Sequence, residues 1–353
     1  MSKKTTFICI GDPHFKVSNI KDVELFIDKL IILIKETKPD IIVMLGDLLD
    51  THEKIHSIAL NKAYEFIDKL RQIAKTYCLV GNHDMYDNQV FLENKHWMNG
   101  MKEWENVVIV DKPEIEEINN QKFMFCPYVY PGRFKEALET CHQKWCEMDC
   151  IFAHQEFLGC KMGAFESVDG DKWEKTYPFI VSGHIHLNQK LQNNIYYPGS
   201  SMQHAFGESD KNVIPILSFS NDNKYPDINE INLKLPRKKI VYKDIVDIDD
   251  YDIVETSDTI KLSISGVYEQ FKSFRKTKKY KDLVKKGVKI IFKPNRCIIK
   301  KQNEEQKIDT DDTSFSNILS LLVNNNKDPY LFKMYELVIN NKDISTNDII
   351  FIT

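Results

Sequence analysis

The sequence predicts an α/β protein with a layered sheet, and two observations carry that expectation. Residues 6–80 run strand, helix, strand, helix, strand, the order that builds layered α/β sheets. Five short apolar runs then stop abruptly at residues of metal-ligand type. These are Asp12 and His14, Asp47 and Asp50, Asn82 and His83, His154, and His184 and His186. In open α/β sheets ligand sites collect outside the carboxyl ends of the strands, so five such ends in one sheet would bring these side chains together.

Each element follows from the residues in turn. Residues 6–10 are apolar and β-prone until Gly11-Asp12-Pro13-His14 breaks the run. Val23, Phe26, Ile27, Leu30, Ile31 and Ile34 recur at helical spacing over 20–36, and Pro39 and Asp40 end that helix. A buried strand over 40–45 is closed by Gly46-Asp47-Leu48-Leu49-Asp50. A second helix covers 57–75, with Ala59, Ala63, Phe66, Ile67, Leu70 and Ile73 on one face. The strand 77–80 ends in Gly81-Asn82-His83-Asp84. Further strands are expected at 107–110 and 122–128, a helix at 133–147, and a strand at 150–153 that ends on His154. Residues 159–173 read as a loop, followed by strands at 179–182, 194–197 and 214–220. Residues i and i+2 of a strand share one face, so His184 and His186 would both aim at one site past the end of strand 179–182.

Composition narrows the function classes. The chain has 353 residues, 42% hydrophobic and 28% charged, as in a soluble globular protein of one large and one smaller domain. Eight cysteines and no leader-like apolar segment predict an intracellular, reducing location and not secretion. No apolar run is long enough to span a bilayer. The spacing of Cys141, Cys146 and Cys150 does not match the paired cysteines of structural zinc sites. Carboxylates with imidazoles suit borderline divalent metals such as manganese, iron or zinc, and the ligands suffice for two ions. Paired ions ~3.5–4 Å apart form a clamp for in-line attack at phosphorus and lower the pKa of a shared water. A histidine outside the metal shells, His83, is then the natural proton donor to the leaving oxygen.

The blocks Asp12-x-His14, Gly46-Asp47-x-x-Asp50, Gly81-Asn82-His83-Asp84, His154 and Gly183-His184-x-His186 stand in order across residues 6–186. Together they resemble the calcineurin-like metallophosphoesterase superfamily. The resemblance implies a β-sandwich flanked by helices, with a dinuclear site between the sheets. It implies one metal on Asp12, His14, Asp47 and His186, with Asp47 bridging. Asn82, His154 and His184 complete the second, His83 is the general acid, and Asp50 orients it. Manganese is the metal it favours. The complete Asp-x-His block speaks against the lariat-debranching branch.

The flanks point to a substrate. Tyr197-Pro198-Gly199-Ser200 followed by Phe206-Gly207-Glu208 is similar to the DNA-repair nuclease branch, which includes SbcD and phage recombination exonucleases. Residues 1–225 would then be the nuclease domain, 231–308 a small α/β cap, and 309–353 a helix-loop-helix tail. In the cap, Thr259–Ile264 and Val288–Phe292 read as strands around one helix. Nine cations fall within the eighteen residues 272–289, a density that suits contact with a phosphate backbone. Lys272, Arg275, Lys278, Lys279 and Lys281 are the candidate DNA contacts there, and Lys161 is another, in the loop after His154. The tail stripes Phe315, Ile318, Leu319, Leu322, Val323 and Leu331, Met334, Tyr335, Val338 look like the element by which such nucleases grip an SMC-like ATPase. The resemblance also implies a homodimer, and a viral or phage source is open. The alternative is a stand-alone phosphoesterase acting on a small ester.

Overall fold

The computed structural model describes residues 4–51, 54–209, 211–252, 256–294, 315–326, 328, 331 and 335. Met1–Asn295 and Arg296–Thr353 form separate compact units. The first unit contains an α/β sandwich of two six-stranded sheets. In order across the first sheet lie Asp227–Ile231, Ile214–Phe219, Thr5–Ile10, Ile41–Met44, Lys75–Leu79 and Val107–Val110. Across the second lie Gln189–Gln192, Ile195–Tyr197, Phe179–Ser182, Cys150–Ala153, Gln121–Phe125 and Glu114–Ile118. The four strands from Thr5–Ile10 to Val107–Val110 are mutually parallel, as are the middle four of the second sheet.

Alternation along the strands divides the apolar residues between layers. Phe7, Val43, Tyr77 and Leu217 of the first sheet pack against Phe123, Phe125, Phe152 and Val181 of the second. Rings dominate this layer: Phe7 and Phe123 stand 4.6 Å apart, and Tyr77 stacks on Phe125 at 3.9 Å. The opposite face of the first sheet, with Ile8, Ile42 and Cys78, is covered by the helices Ile20–Thr37 and Ser57–Arg71. These bury most of the expected stripes, Val23, Phe26, Ile27, Leu30 and Ile34 on one and Ala59, Ala63, Phe66, Ile67 and Leu70 on the other; Ile31 is half-buried, and the second helix ends at Arg71, short of Ile73. The second sheet is covered by helix Phe134–Cys141 with Trp145 and Trp173.

Several local expectations are corrected. The helix expected over 133–147 stops at Cys141, and a single 3-10 turn, Trp145–Glu147, follows. The loop 159–173 contains a two-stranded hairpin, Lys161–Met162 with Phe165–Glu166. The single cap helix is two, Tyr268–Phe274 and Lys278–Lys285, because Thr277 caps a new start by accepting from the Tyr280 amide. The strands Glu114–Ile118, Gln189–Gln192, Asp227–Ile231 and Lys238–Asp244 were not expected. Asp227–Ile231 extends the first sheet past residue 225.

The cap is a parallel three-stranded sheet, Lys238–Asp244, Thr259–Gly266 and Lys289–Pro294. Ile260, Leu262 and Ile264 face the two short helices and pack on Phe271, Phe274 and Leu283. Of the tail, helix Phe315–Asn326 is described. Met334 and Val338 lie outside the described residues.

Candidate metal centre

Parallel strands place their carboxyl ends side by side, and the five predicted turns meet there. Ile10 leads to Asp12 and His14, Met44 to Asp47, Leu79 to Asn82 and His83, Ala153 to His154, and Ser182 to His184 and His186. The turns are sharp. Asp12, His14, Asp47 and His184 all hold positive φ, from 39° to 75°, a strained state for residues with a Cβ and one that clusters at functional sites. Two glycines make room. A Cβ on Gly46 would lie 2.3 Å from His154 Nδ1, and one on Gly81 would lie 2.2 Å from Asp47 Oδ1.

Asp47 is the hub. Ligand atoms of Asp12, His14 and Asp47 form one compact group, and those of Asp47, His154 and His184 form a second. Asn82 Oδ1 lies 3.0 Å from His154 Nε2 and 2.8 Å from His184 Nδ1. His186 Nε2 lies 3.0 Å from His14 Nε2. Backbone bonds hold the ligands in place. His154 Nδ1 donates to the Leu45 carbonyl at 2.6 Å, which turns Nε2 to the centre. The His184 amide donates to Asp12 Oδ1 at 2.8 Å and the His83 amide to Asp47 Oδ1 at 2.9 Å.

The donor set fits a pair of divalent cations. Asp12 and Asp47 are both buried, and their ion pairs run to histidines, His154 and His14. The buried atoms Asp12 Oδ2 and His14 Nδ1 have no hydrogen-bond partner, a costly state that a bound cation relieves for the carboxylate. Burial raises the Asp12 carboxyl. Burial also pushes Asp47 up, but His154 and His14 outweigh it and hold it below the carboxylate range. Burial pushes His154 down, yet Asp47 and Asp12 bring it up to about 9. Burial, with His154 beside it, drops His184 to about 3, and burial drops His14 well below its ordinary value. Neutral imidazole is the metal-binding form.

His83 and Asp50 adopt an arrangement different from the expected one. His83 Nδ1 bonds the main-chain carbonyl of Asp50 at 2.7 Å. The Asp50 carboxylate instead pairs with Lys16 Nζ at 2.8 Å and lies 3.9 Å from His14 Nδ1. Asp84, buried behind the turn, accepts from the Gly81, Leu48 and Leu49 amides and from Trp97 Nε1. It thereby ties two of the ligand turns together.

Sequence reasoning missed His204 and Glu208. The His204 ring sits 4.9 Å from that of His14 and 5.4 Å from that of His186, and its Nε2 donates to the Asp12 carbonyl at 2.7 Å. Glu208 accepts from the His204 and Ala205 amides and stands 3.9 Å from His186 Nδ1. The usable signal was a histidine five residues past Gly199, on the loop that leaves the last ligand strand.

The six expected DNA-contacting cations sit on the hairpin and on or beside the cap helices. Lys161 is on the exposed hairpin, where its amide donates to Gln189 Oε1. Lys272 stands 4.0 Å from Glu269, and Lys279 bonds the Asp249 carbonyl and lies 3.6 Å from Asp252. Arg275, Lys278 and Lys281 are exposed on or beside the cap helices. Among the described residues, none of the six bonds a residue of the metal-type cluster.

The family comparison agrees with the geometry. A family model described as calcineurin-like phosphoesterase matches residues 5–211. A protein of Invertebrate iridescent virus 6 named as a phosphoesterase is 47% identical over 276 residues, covering 76% of this chain and 96% of its own. Another, of Invertebrate iridescent virus 3, is 44% identical over 312 residues, covering 87% and 88%. One of the subunits of the nuclease SbcCD from Staphylococcus saprophyticus is 24% identical over 222 residues, covering 54% of this chain and 58% of its own. A dimetal phosphatase structure from Danio rerio aligns with a TM-score of 0.39 at 11% identity, over 62% of this chain and 93% of that one.

Proposed function

The chain belongs to the calcineurin-like phosphoesterase family, and from that premise we propose that it is a DNA nuclease which hydrolyses phosphodiester bonds with two divalent ions. Metal-dependent phosphoester hydrolysis is the family's chemistry; DNA as substrate is our reading. One observation carries the dinuclear assignment: Asp47 is shared by both ligand groups. Asp12, His14 and His186 would hold one ion, and Asn82, His154 and His184 the other. Bound divalent ions, manganese in our reading, supply positive charge against the phosphoryl oxygens and acidify the attacking water.

The protein's own residues do the rest. His83 donates from Nδ1 to the Asp50 carbonyl, and this fixes the ring. Nε2 is then the atom that protonates the departing alkoxide as the P–O bond breaks. Similarity to an SbcCD component and the Tyr197-Pro198-Gly199-Ser200 flank support DNA. An SMC-like ATPase partner and a homodimer belong to the same reading, and Leu322, exposed on helix Phe315–Asn326, suits a partner contact. The viral relatives support a viral source and, with it, an intracellular place of action.

The test is hydrolysis of single- and double-stranded DNA in manganese, with and without EDTA. The expected result is cleavage that EDTA abolishes. Intact DNA beside rapid turnover of bis(4-nitrophenyl) phosphate would overturn the nuclease and leave a small-ester phosphodiesterase. Co-purification of the full chain with an SMC-like ATPase, lost on deleting 310–353, tests the partner.

A further inference from the structure

We infer that the face of the cap sheet not covered by helices is a track for a single strand of nucleic acid leading to the metal centre. This rests on the nuclease reading. Side chains of a strand alternate between faces, and residues in register across a sheet share one. Ile260, Leu262 and Ile264 point to the cap helices. Lys261, Ser263 and Ser265 therefore point the other way, as do their register partners. One row is Ile240, Lys261 and Lys289, the next is Tyr242, Ser263 and Ile291, and the third is Asp244, Ser265 and Lys293.

The first row meets the loop that carries His204. Two residues beyond His204, the Phe206 ring lies 5.2 Å from Lys261 Nζ and 5.5 Å from Lys289 Nζ. Gly207 approaches Ile240 on the same row. Bonds between Gln203 and the Lys238 main chain fix the loop to the start of the sheet. Further along, Lys293 Nζ stands 5.7 Å from the Tyr242 ring, and Tyr242 is 66% exposed. The stripe thus alternates aromatic rings and lysines: Phe206, then Lys261 and Lys289, then Tyr242 and Lys293. Its one carboxylate, Asp244, is bonded to the Val246 amide.

Rings that stack bases beside cations that meet phosphates are what unspecific single-strand binding needs. A duplex would bury its base faces and leave the rings unused. The stripe begins at a loop whose histidine contacts the Asp12 carbonyl, so a strand lying on it runs to the reacting phosphorus. The lysine-rich helices cover the opposite face and share none of this continuity.

The test is fluorescence anisotropy of labelled oligothymidylate about twenty nucleotides long, bound to the full chain in EDTA so that no cleavage intervenes. Lys261→Gln with Lys289→Gln should weaken binding about tenfold and flatten the log–log salt slope by roughly 1.4, two phosphate contacts on a single strand. Tyr242→Ala, an exposed change that spares the cap core, should weaken binding at least fivefold and leave the slope unchanged. Unchanged circular dichroism and thermal midpoint establish folding. The inference is overturned if both variants bind within twofold of wild type, or if Lys278→Gln with Lys281→Gln causes the larger loss. A wild-type chain that neither binds the oligonucleotide nor cuts DNA in manganese would sink the nuclease reading itself. Cutting by wild type with unaffected sheet variants would remove only the track.

Discussion

At the residue scale, the structure separates groups that touch the reaction from groups that hold them. His83 Nδ1 is held by the Asp50 carbonyl, while the Asp50 carboxylate pairs with Lys16. His83→Ala should therefore lower turnover of bis(4-nitrophenyl) phosphate by about 10²–10⁴-fold while manganese stoichiometry is retained. Asp50→Asn keeps the main-chain acceptor and loses the half-buried Lys16 pair and the 3.9 Å approach to His14 Nδ1, so turnover should stay within about tenfold of wild type, since single ion pairs contribute little. A loss as large as that of His83→Ala would show that the carboxylate itself acts. Gly81 has a different duty, since any Cβ there would collide with Asp47 Oδ1. Gly81→Ala should weaken manganese binding by about 10–100-fold, the usual effect of disturbing a ligand's support, as read by calorimetry.

At the scale of elements, the strand ends were legible and the polar edge strands were not. A buried parallel strand is a continuous apolar run, and Ile41–Met44 or Phe179–Ser182 followed at once by ligand types could hardly be read otherwise. Edge strands carry charge to block further pairing. Glu114–Ile118, Gln189–Gln192 and Asp227–Ile231 are such edges, and their polar residues hid them. Thr277 was a readable cap, but the apolar stripe that continues across it from Phe271 to Leu283 read as one helix. His204 was overlooked because no strand end announces it, and its role comes from a loop folding back on Asp12. Asp111, just past Val107–Val110, shows what an element end contributes in energy. Burial pushes its carboxyl up, but His96 and Lys102 outweigh that and hold it at about 2, against 3.8 unfolded. A depressed carboxyl adds stability that is present above pH 3.8 and is lost as pH falls towards 2. The amount is on the order of 2 kcal/mol. Urea midpoints of wild type should fall across that window, and those of Asp111→Asn should fall by correspondingly less.

At the scale of the whole molecule, the two sheets are joined at their carboxyl ends by the ligand cluster. Asp12, His14, Asp47 and Asn82 come from the first sheet, and His154, His184 and His186 from the second. Any cation held there binds both sheets at once and binds the folded chain alone. Metal must therefore raise the stability of the whole sandwich by mass action, by about 3 kcal/mol at a hundredfold excess over Kd. For a chain of this size that corresponds to a rise of roughly 4 °C in thermal midpoint, measured in manganese against EDTA. The sharing of Asp47 fixes how variants divide this gain. Asp47→Asn strips a ligand from both groups and should abolish nearly all of the shift, whereas His186→Asn disturbs one group and should leave part of it. Equal residual shifts in the two variants would mean that the sites bind independently and that Asp47 does not bridge. A bridging Asp47 also requires the second ion's affinity to depend on the first, so calorimetric titration of His186→Asn should show weakened binding at both sites.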